Sequence, residues 1–283
     1  MNWIAILLMA TIPCSRAFAQ NDPVPIQVSH VSNSGFSGIG LKNDMIMESG
    51  DAKPRANLLF RTNVDLFDGG NSTYMTLDFD IRVQIGAKKF SFYTQPVRIN
   101  HDEFLHYDFA DLLRCGLVFI PNGHYSAYFL AGMSNITLDP SHPALNGAYS
   151  AGLATVWAKG VDAEATYRRE EFKIVIYLHY RRGISTDGAT DPTGFTINDR
   201  LTIQNCEYGV CGEFAMAPGV GLAVGLENTQ LTTEQTRNIL FALNPSANQK
   251  VYENVIRDNA FKATVGVKVL LQSRKHKSDA DQE

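Results

Sequence analysis

Residues 75–85 read MTLDFDIRVQI, and apolar and polar side chains alternate through the whole stretch. The apolar side chains occupy the odd positions, Met75, Leu77, Phe79, Ile81, Val83 and Ile85. The even positions carry Thr76, Asp78, Asp80, Arg82 and Gln84. Because successive side chains of a β-strand point to opposite faces of its sheet, one face is apolar and the other is charged. The stretch therefore predicts a strand that separates an apolar from a polar environment.

The same alternation returns in a predicted hairpin around the polar turn 168–171. Its apolar positions are Val161, Ala163, Ala165 and Tyr167 before the turn and Phe172, Ile174, Ile176, Leu178 and Tyr180 after it. Folding the chain about this turn pairs Tyr167 with Phe172 and places all apolar side chains on one face. The strand from Phe172 to Tyr180 spans roughly 20 Å when tilted, near the ~25 Å apolar band of outer-membrane barrels, whose interfaces carry aromatic residues.

Strand-like runs cover most of the chain and predict an all-β fold, an antiparallel up-and-down transmembrane β-barrel of about 12 strands. The runs are residues 36–46, 57–67, 73–85, 89–99, 106–119, 124–138, 148–157, 161–167, 172–182, 195–204, 212–226 and 260–271. Single-chain bacterial barrels have an even number of strands, so both chain ends are expected on the periplasmic side.

Segment 227–259 departs from the alternating pattern. Residues 232–235 read TTEQ, which resembles a capping box that opens a helix. Ile239, Leu240 and Leu243 follow at helical spacing. We expect a partly helical outer loop that either folds into the lumen or packs on its rim.

The ends of the chain predict export. The apolar run from Trp3 to Ile12, followed by small residues at Ala17 and Ala19, is typical of a signal peptide over residues 1–19. Residues 20–35 are then expected to form an N-terminal lead-in, residues 36–272 the barrel and residues 273–283 a polar tail. No later apolar run reaches the ~18 residues that a spanning helix needs.

The charge and the cysteines limit the remaining classes. A net charge of −4, with no basic run that carries interleaved aromatic residues, gives no basis for nucleic-acid binding. Cys206 and Cys211 could form a disulfide across a predicted turn at 207–210 in an oxidising periplasm. Cys115 is then expected to be a buried small residue. A single Cys-x4-Cys pair does not predict zinc binding, and no metal or cofactor is expected.

Together, the signal, the alternating strands, the aromatic strand ends and the closing strand 260–271 resemble Gram-negative outer-membrane β-barrel proteins of the porin-like class. The resemblance is one of pattern and covers nearly the whole chain after the signal. It implies location in the outer membrane, contact with lipid, and passive diffusion of small hydrophilic solutes or ions. Proteins of this class commonly end on an aromatic residue, whereas this chain ends in a polar tail, and many of them are homo-oligomers.

The polar faces of the predicted strands would line the lumen. The candidate pore-lining residues are Asp78, Asp80, Arg82, Asp162, Glu164, Lys173, His179, Arg181, Lys262 and Lys268. Charges of both signs would set a transverse field and tune ion preference. A barrel of roughly twelve strands has a narrow lumen, so the same charges could instead pair as internal salt bridges and plug it.

Two other classes remain open. Residues 30–35 read HVSNSG and resemble the short His-x-Ser-Asn segment of outer-membrane lipid hydrolases. On a strand, His30 and Ser32 share a face, as a base and a nucleophile require. A polar lead-in that contains these residues by chance explains the segment better, so no catalytic residue is assigned. A secreted soluble β protein, such as an adhesin, is the third class and would stay in solution without detergent.

Overall fold

The computed structural model describes most of the chain between Gln27 and Gln272. The described residues are 27–31, 36–48, 55–67, 72–86, 90–102, 105, 107–120, 124–140, 142, 145, 155–169, 171–190, 195–241, 244, 246 and 248–272. The predicted signal peptide and the polar tail lie outside them and stay predictions. Residues 27–31 of the predicted lead-in form a short strand.

The all-β fold is confirmed, because every element in the described part of the chain is a strand. The strands are β1 (Gln27–Val31), β2 (Phe36–Glu48), β3 (Arg55–Phe67), β4 (Ser72–Gly86), β5 (Phe90–Asp102), β6 (Tyr107–Phe119), β7 (Tyr125–Leu138), β8 (Thr155–Arg169), β9 (Phe172–Thr190), β10 (Phe195–Ala217), β11 (Val220–Phe241) and β12 (Gln249–Gln272). The last four strands have 19 to 24 residues, whereas β2 to β8 have 13 to 15.

The strands form one strongly curled sheet in which consecutive strands from β2 to β12 pair antiparallel. The two outermost strands of this run also pair with each other. Strand β12 runs parallel to β2, with Phe261 opposite Phe36 and Val269 opposite Met45. Strand β1 lies on β12 in the same direction, with Gln27 opposite Asn254. The parallel pairing places the first and last described residues at opposite ends of the sheet, which differs from the expectation of one common side.

We name the two ends of the sheet by their connections. The Gly219 end carries the tight β10–β11 turn, in which Gly219 has a φ of 79° that favours glycine. The Asn244 end carries the longer β11–β12 connection. The described chain starts at the Asn244 end and finishes at the Gly219 end.

The predicted hairpin is confirmed as β8 and β9, but its register is two residues off. Tyr167 pairs with Ile174, and Arg169 pairs with Phe172. Arg168 and Arg169 extend the strand, so the turn is tighter than the four-residue turn predicted at 168–171. A two-residue slip leaves every side chain on its predicted face, because the side-chain period of a strand is two residues.

The partly helical loop predicted at 227–259 is wrong. Residues 227–241 continue β11, and residues 249–259 begin β12. Thr233 lies between Ile203 of β10 and Ile256 of β12. The ladders on both sides satisfy the backbone groups, which outweighs a helix preference of only a few tenths of a kcal/mol per residue.

Among the residues that the structure describes, none lies in a helix that is long and apolar enough to cross a membrane.

Two other predicted boundaries are corrected. The runs 148–157 and 161–167 were expected to be separated by a turn around Gly160, but β8 passes through Gly160 without a break. The run 212–226 was expected to be one strand, but the Gly219 turn divides it between β10 and β11. The twelve predicted runs therefore correspond to the eleven strands β2 to β12, and β1 is an additional strand of the described part that the pattern did not predict.

Alternate residues of the strands lie on two different faces of the curled sheet. In β8, Val156 and Ala158 are buried, whereas Trp157 between them is 57% exposed. We call the buried side the interior face. Near the Asn244 end this face carries an apolar cluster: Leu105, Tyr107, Phe109, Ile136, Leu138, Val156, Ala158, Leu201, Ile203, Leu231, Ile256 and Ala260. Nearer the Gly219 end, the interior face is charged.

Candidate functional site

The interior of the sheet contains a fully buried group of charged residues that we call the central cluster: Asp111, Arg114, Asp162 and Arg181. Arg181 donates from Nε to Oδ1 of Asp111 at 2.9 Å and from Nη2 to Oδ2 at 2.6 Å. Its Nη1 donates to Oδ1 of Asn205 at 3.0 Å. The guanidinium and the carboxylate thus meet in the bidentate geometry that gives the strongest charged hydrogen bonds.

Arg114 completes the cluster. Its Nη2 donates to the Ser134 hydroxyl at 2.8 Å and lies 2.9 Å from Oδ1 of Asp111, and its Nη1 donates to Asp162. The Ser134 hydroxyl in turn donates to Asp111 at 2.6 Å. The positive charges of two arginines balance the negative charges of two aspartates. A fully buried group requires this balance, because an unpaired buried charge costs several kcal/mol.

A β-bulge places Arg114 in the interior. The register between β6 and β7 shifts between Leu112 and Cys115, and Leu113 adopts a φ of 50°. Without the extra residue, strict alternation would turn Leu113 inward and Arg114 outward. With it, the Leu113 side chain is 77% exposed and Arg114 is fully buried.

Two glycines make the space that the Arg114 side chain occupies. Gly132 of β7 lies directly opposite Gly160 of β8. A Cβ at Gly132 would lie 2.7 Å from Cγ of Arg114, and a Cβ at Gly160 would lie 3.0 Å from its Cζ. Glycine inside a strand often marks such a close approach.

A second charged group, the Arg98 bridge, consists of Arg98, His179 and Glu207. Arg98 Nη1 and His179 Nδ1 are hydrogen bonded at 2.9 Å, and Arg98 Nη2 lies 3.7 Å from Glu207 Oε2. Arg98 is on β5 and His179 is on β9, four strand spacings or roughly 19 Å apart on a flat sheet. The sheet therefore curls enough for opposite walls to touch across its interior.

Phe109 lies between the central cluster and the Arg98 bridge. Its ring centroid is 3.7 Å from Cζ of Arg181 and 5.2 Å from Cζ of Arg98. Both distances are within the range of cation–π attraction. One aromatic ring thus packs against two guanidinium groups where the apolar cluster meets the charged interior.

Two further groups lie toward the Gly219 end, each with one glutamate between two lysines. Glu227 contacts Lys42 at 2.9 Å and Lys262 at 3.3 Å. Tyr177 also donates to Glu227, at 2.5 Å. We call this the Glu227 group; it links β2, β9, β11 and β12.

In the Glu213 group, Glu213 contacts Lys268 at 2.8 Å and Lys173 at 3.3 Å. The side chains of this group are 18 to 21% exposed. Those of the central cluster are 0 to 2% exposed. The interior thus becomes more accessible to solvent toward the Gly219 end.

The structure brings most of the predicted lumen residues to the interior face. Asp162, His179, Arg181 and Lys262 are buried, and Glu164, Lys173 and Lys268 are half-buried. Asp78, Asp80 and Arg82 lie on β4, but their side chains lie outside the described part. The described members have polar partners, and lining of a pore stays a prediction.

Sequence reasoning missed Asp111 and Arg114 because the bulge at Leu113 breaks the alternation between them. It also missed Glu207 and Glu227, which were assigned to a turn and to a loop. The glycines at 132 and 160 were the available signal, since each interrupts an otherwise strand-like run.

The predicted disulfide is wrong, because Cys206 and Cys211 are both free. Residues 207–210 are extended strand within β10 and form no turn. Five extended residues separate the two Cα atoms by about 17 Å, whereas a disulfide needs less than about 7 Å. Cys115 was expected to be buried, but it is exposed because the bulge turns it outward.

Within the described residues, no group of three or more His, Cys, Asp or Glu side chains is arranged to hold a metal ion. His30 lies on β1 opposite Ile256, while Ser32 is outside the described residues, so the hydrolase class stays a prediction.

No known protein-family model matches the chain, and no curated protein matches it.

Proposed function

We propose that the chain forms a closed transmembrane β-barrel in the bacterial outer membrane and acts as a narrow channel for small ions whose resting lumen is shut. The observation that carries this proposal is the contact between opposite walls, above all Arg98 with His179, beside a fully buried central cluster. Large solutes, such as those that cross general-diffusion porins, cannot pass an interior in which opposite walls are in contact.

Closure of the barrel is supported by the pairing of β12 with β2. A curled sheet whose outermost strands pair with each other leaves no long edge of unpaired backbone groups, and only closed barrels or helices are tolerated in lipid. Strands β1 and β2 pair with successive parts of the same edge of β12, so together they occupy one strand position. The closing pair is parallel, and the circumference therefore has an odd number of strand positions. A natural barrel of 19 strands shows that an odd number is physically allowed.

Insertion into a membrane is supported by the outer face. Large apolar side chains there are about half exposed, among them Phe92, Phe129, Trp157 and Phe214. The same strands bury arginine, aspartate and lysine on the interior face. A soluble sandwich would place these two sets the other way round, whereas lipid would cover such an apolar exterior.

The test is cell fractionation followed by comparison of heated and unheated samples on a gel. We expect recovery in the outer membrane, a heat-dependent mobility shift, and little uptake of sugars by proteoliposomes. Recovery in the soluble periplasm with no shift would overturn the barrel and favour the soluble adhesin class. A lipid-ester hydrolysis assay that compares the wild type with Ser32→Ala tests the hydrolase class. That class predicts activity in the wild type and none in the variant.

A second candidate is a structural barrel that never conducts. The apolar cluster at the Asn244 end favours it, because twelve buried apolar residues pack there as in a soluble core. Conductance of variants with substituted interior residues distinguishes the two candidates, because a structural barrel stays non-conducting in every variant.

A further inference from the structure

We infer that Arg98 is the gate of a cation route that follows the interior face of β5, an inference that rests on the proposed ion channel. The gate closes by contact of Arg98 with Glu207 and His179 across the interior. The permeating species are small monovalent cations.

The route is defined by polar side chains beside the apolar cluster. Arg98, Asn100 and Asp102 are successive interior residues of β5 and approach the Asn244 end. The outward residues between them are Ile99, which is 51% exposed, and His101. The apolar cluster draws its strand residues from β6–β8 and β10–β12, so β5 offers a polar wall next to it.

Arg98 is the least exposed of the three groups on that wall. Its exposure is 3%, against 7% for Asn100 and 8% for Asp102. On the opposite side of Arg98, the Glu207 side chain is 12% exposed, and the Glu213 group is more exposed still. Gln95, the preceding buried residue of β5 toward the Gly219 end, is 1% exposed, so the wall of β5 is least accessible from Gln95 to Arg98, as expected of a constriction.

The charges left along the route explain the choice of a cation. When Arg98 moves away from Glu207, carboxylates at Glu207 and Asp102 lie on either side of the vacated position. Rings or pairs of acidic side chains favour cations in a narrow pore. Glu207 keeps His179 as a partner when Arg98 moves away, because His179 Nδ1 lies 3.3 Å from its Oε2.

The experiment compares the wild type with Arg98→Ala, the double variant Arg98→Ala/Glu207→Gln, and Arg237→Ala in planar bilayers. Arg237 is the matched control because it forms a bidentate pair with Asp199 on the neighbouring strand, so its loss also leaves an aspartate without its arginine. The double variant also removes the buried carboxylate that Arg98→Ala would leave without its arginine, so we expect it to fold even if the single variant does not. The heat-dependent gel shift is recorded for every protein.

We expect Arg98→Ala to raise the conductance by roughly an order of magnitude over wild type and to prefer K⁺ over Cl⁻. The double variant should conduct with a weaker cation preference, and Arg237→Ala should match the wild type. Folded Arg98 variants that conduct no more than Arg237→Ala overturn the gate and leave the barrel standing. Absence of the gel shift in the wild type overturns the proposed function itself.

Discussion

Gly160 lies beneath the guanidinium of Arg114, so close that a Cβ at this position would lie 3.0 Å from Cζ. Gly160→Ala should therefore displace Arg114 and lower the free energy of unfolding by about 1–3 kcal/mol, as overpacking does. Urea unfolding in detergent micelles measures the change.

Gly188→Ala is the control, because Gly188 is exposed and the nearest atom to its added Cβ is 3.5 Å away. Equal stability of the two variants would contradict the close packing of Arg114.

Breaking the pair of Arg181 with Asp111 should be costly. Arg181→Met leaves a buried aspartate short of its main partner and should destabilise the protein by about 3–5 kcal/mol. Arg181→Met/Asp111→Leu should recover part of this loss, because apolar residues can replace a buried ion pair. A double-mutant cycle measured by urea unfolding gives the coupling energy.

Arg237→Met serves as the comparison for that cycle. The Arg237 side chain is 24% exposed although Asp199 is only 4% exposed, so loss of this arginine should cost less than loss of Arg181, about 1–2 kcal/mol. A loss for Arg181→Met no larger than this would argue against a buried network.

Leu113 should tolerate glycine better than valine. Its φ of 50° is strained for a side chain, and β-branched residues are the least able to adopt it. Leu113→Gly should leave stability unchanged or raise it, whereas Leu113→Val should lower it by about 1 kcal/mol or more. The side chain is 77% exposed, so little interior packing changes in either variant. The opposite order would contradict the bulge.

If the proposed transmembrane barrel forms, the parallel pairing of β2 with β12 places the two ends of the described chain on opposite sides of the membrane. An epitope placed before Gln27 should be accessible from the same side as one in the exposed connection at Ser246. An epitope placed after Gln272 should be accessible together with one at the exposed Glu171. Antibody labelling of intact and permeabilised cells measures this, and labelling of both chain ends from one side would refute it.

The alternation of side chains sufficed to predict strands β2 to β7 and β9, because a period of two residues is a local property. It also assigned Asp162 and Arg181 to the interior face. The two-residue error at Tyr167 shows the limit of the method: alternation fixes the face of a side chain, while the partner depends on the length of the turn.

The errors arose where non-local contacts decide the structure. Residues 232–235 have a local helix signal, yet two neighbouring strands hold them extended. The bulge at Leu113 has no clear local signature, so Arg114 was missed. The barrel prediction implied that the closing strand 260–271 pairs with the first strand, but it expected an antiparallel pair, because the direction depends on the total number of strands and not on any local pattern.

The parallel seam also bears on how the protein assembles. Every other pairing among β2 to β12 joins strands that follow each other along the chain, so hairpins can form one after another, each across a connection much shorter than the stretch from Phe36 to Phe261. The seam alone joins Phe36 to Phe261, near the two ends of the described chain. Closing so long a loop carries the largest entropic cost of any pairing, and strongly non-local contacts form slowly. We therefore expect the seam to be the slow step of folding, and until it forms the growing sheet keeps two open edges that are prone to pair with other chains.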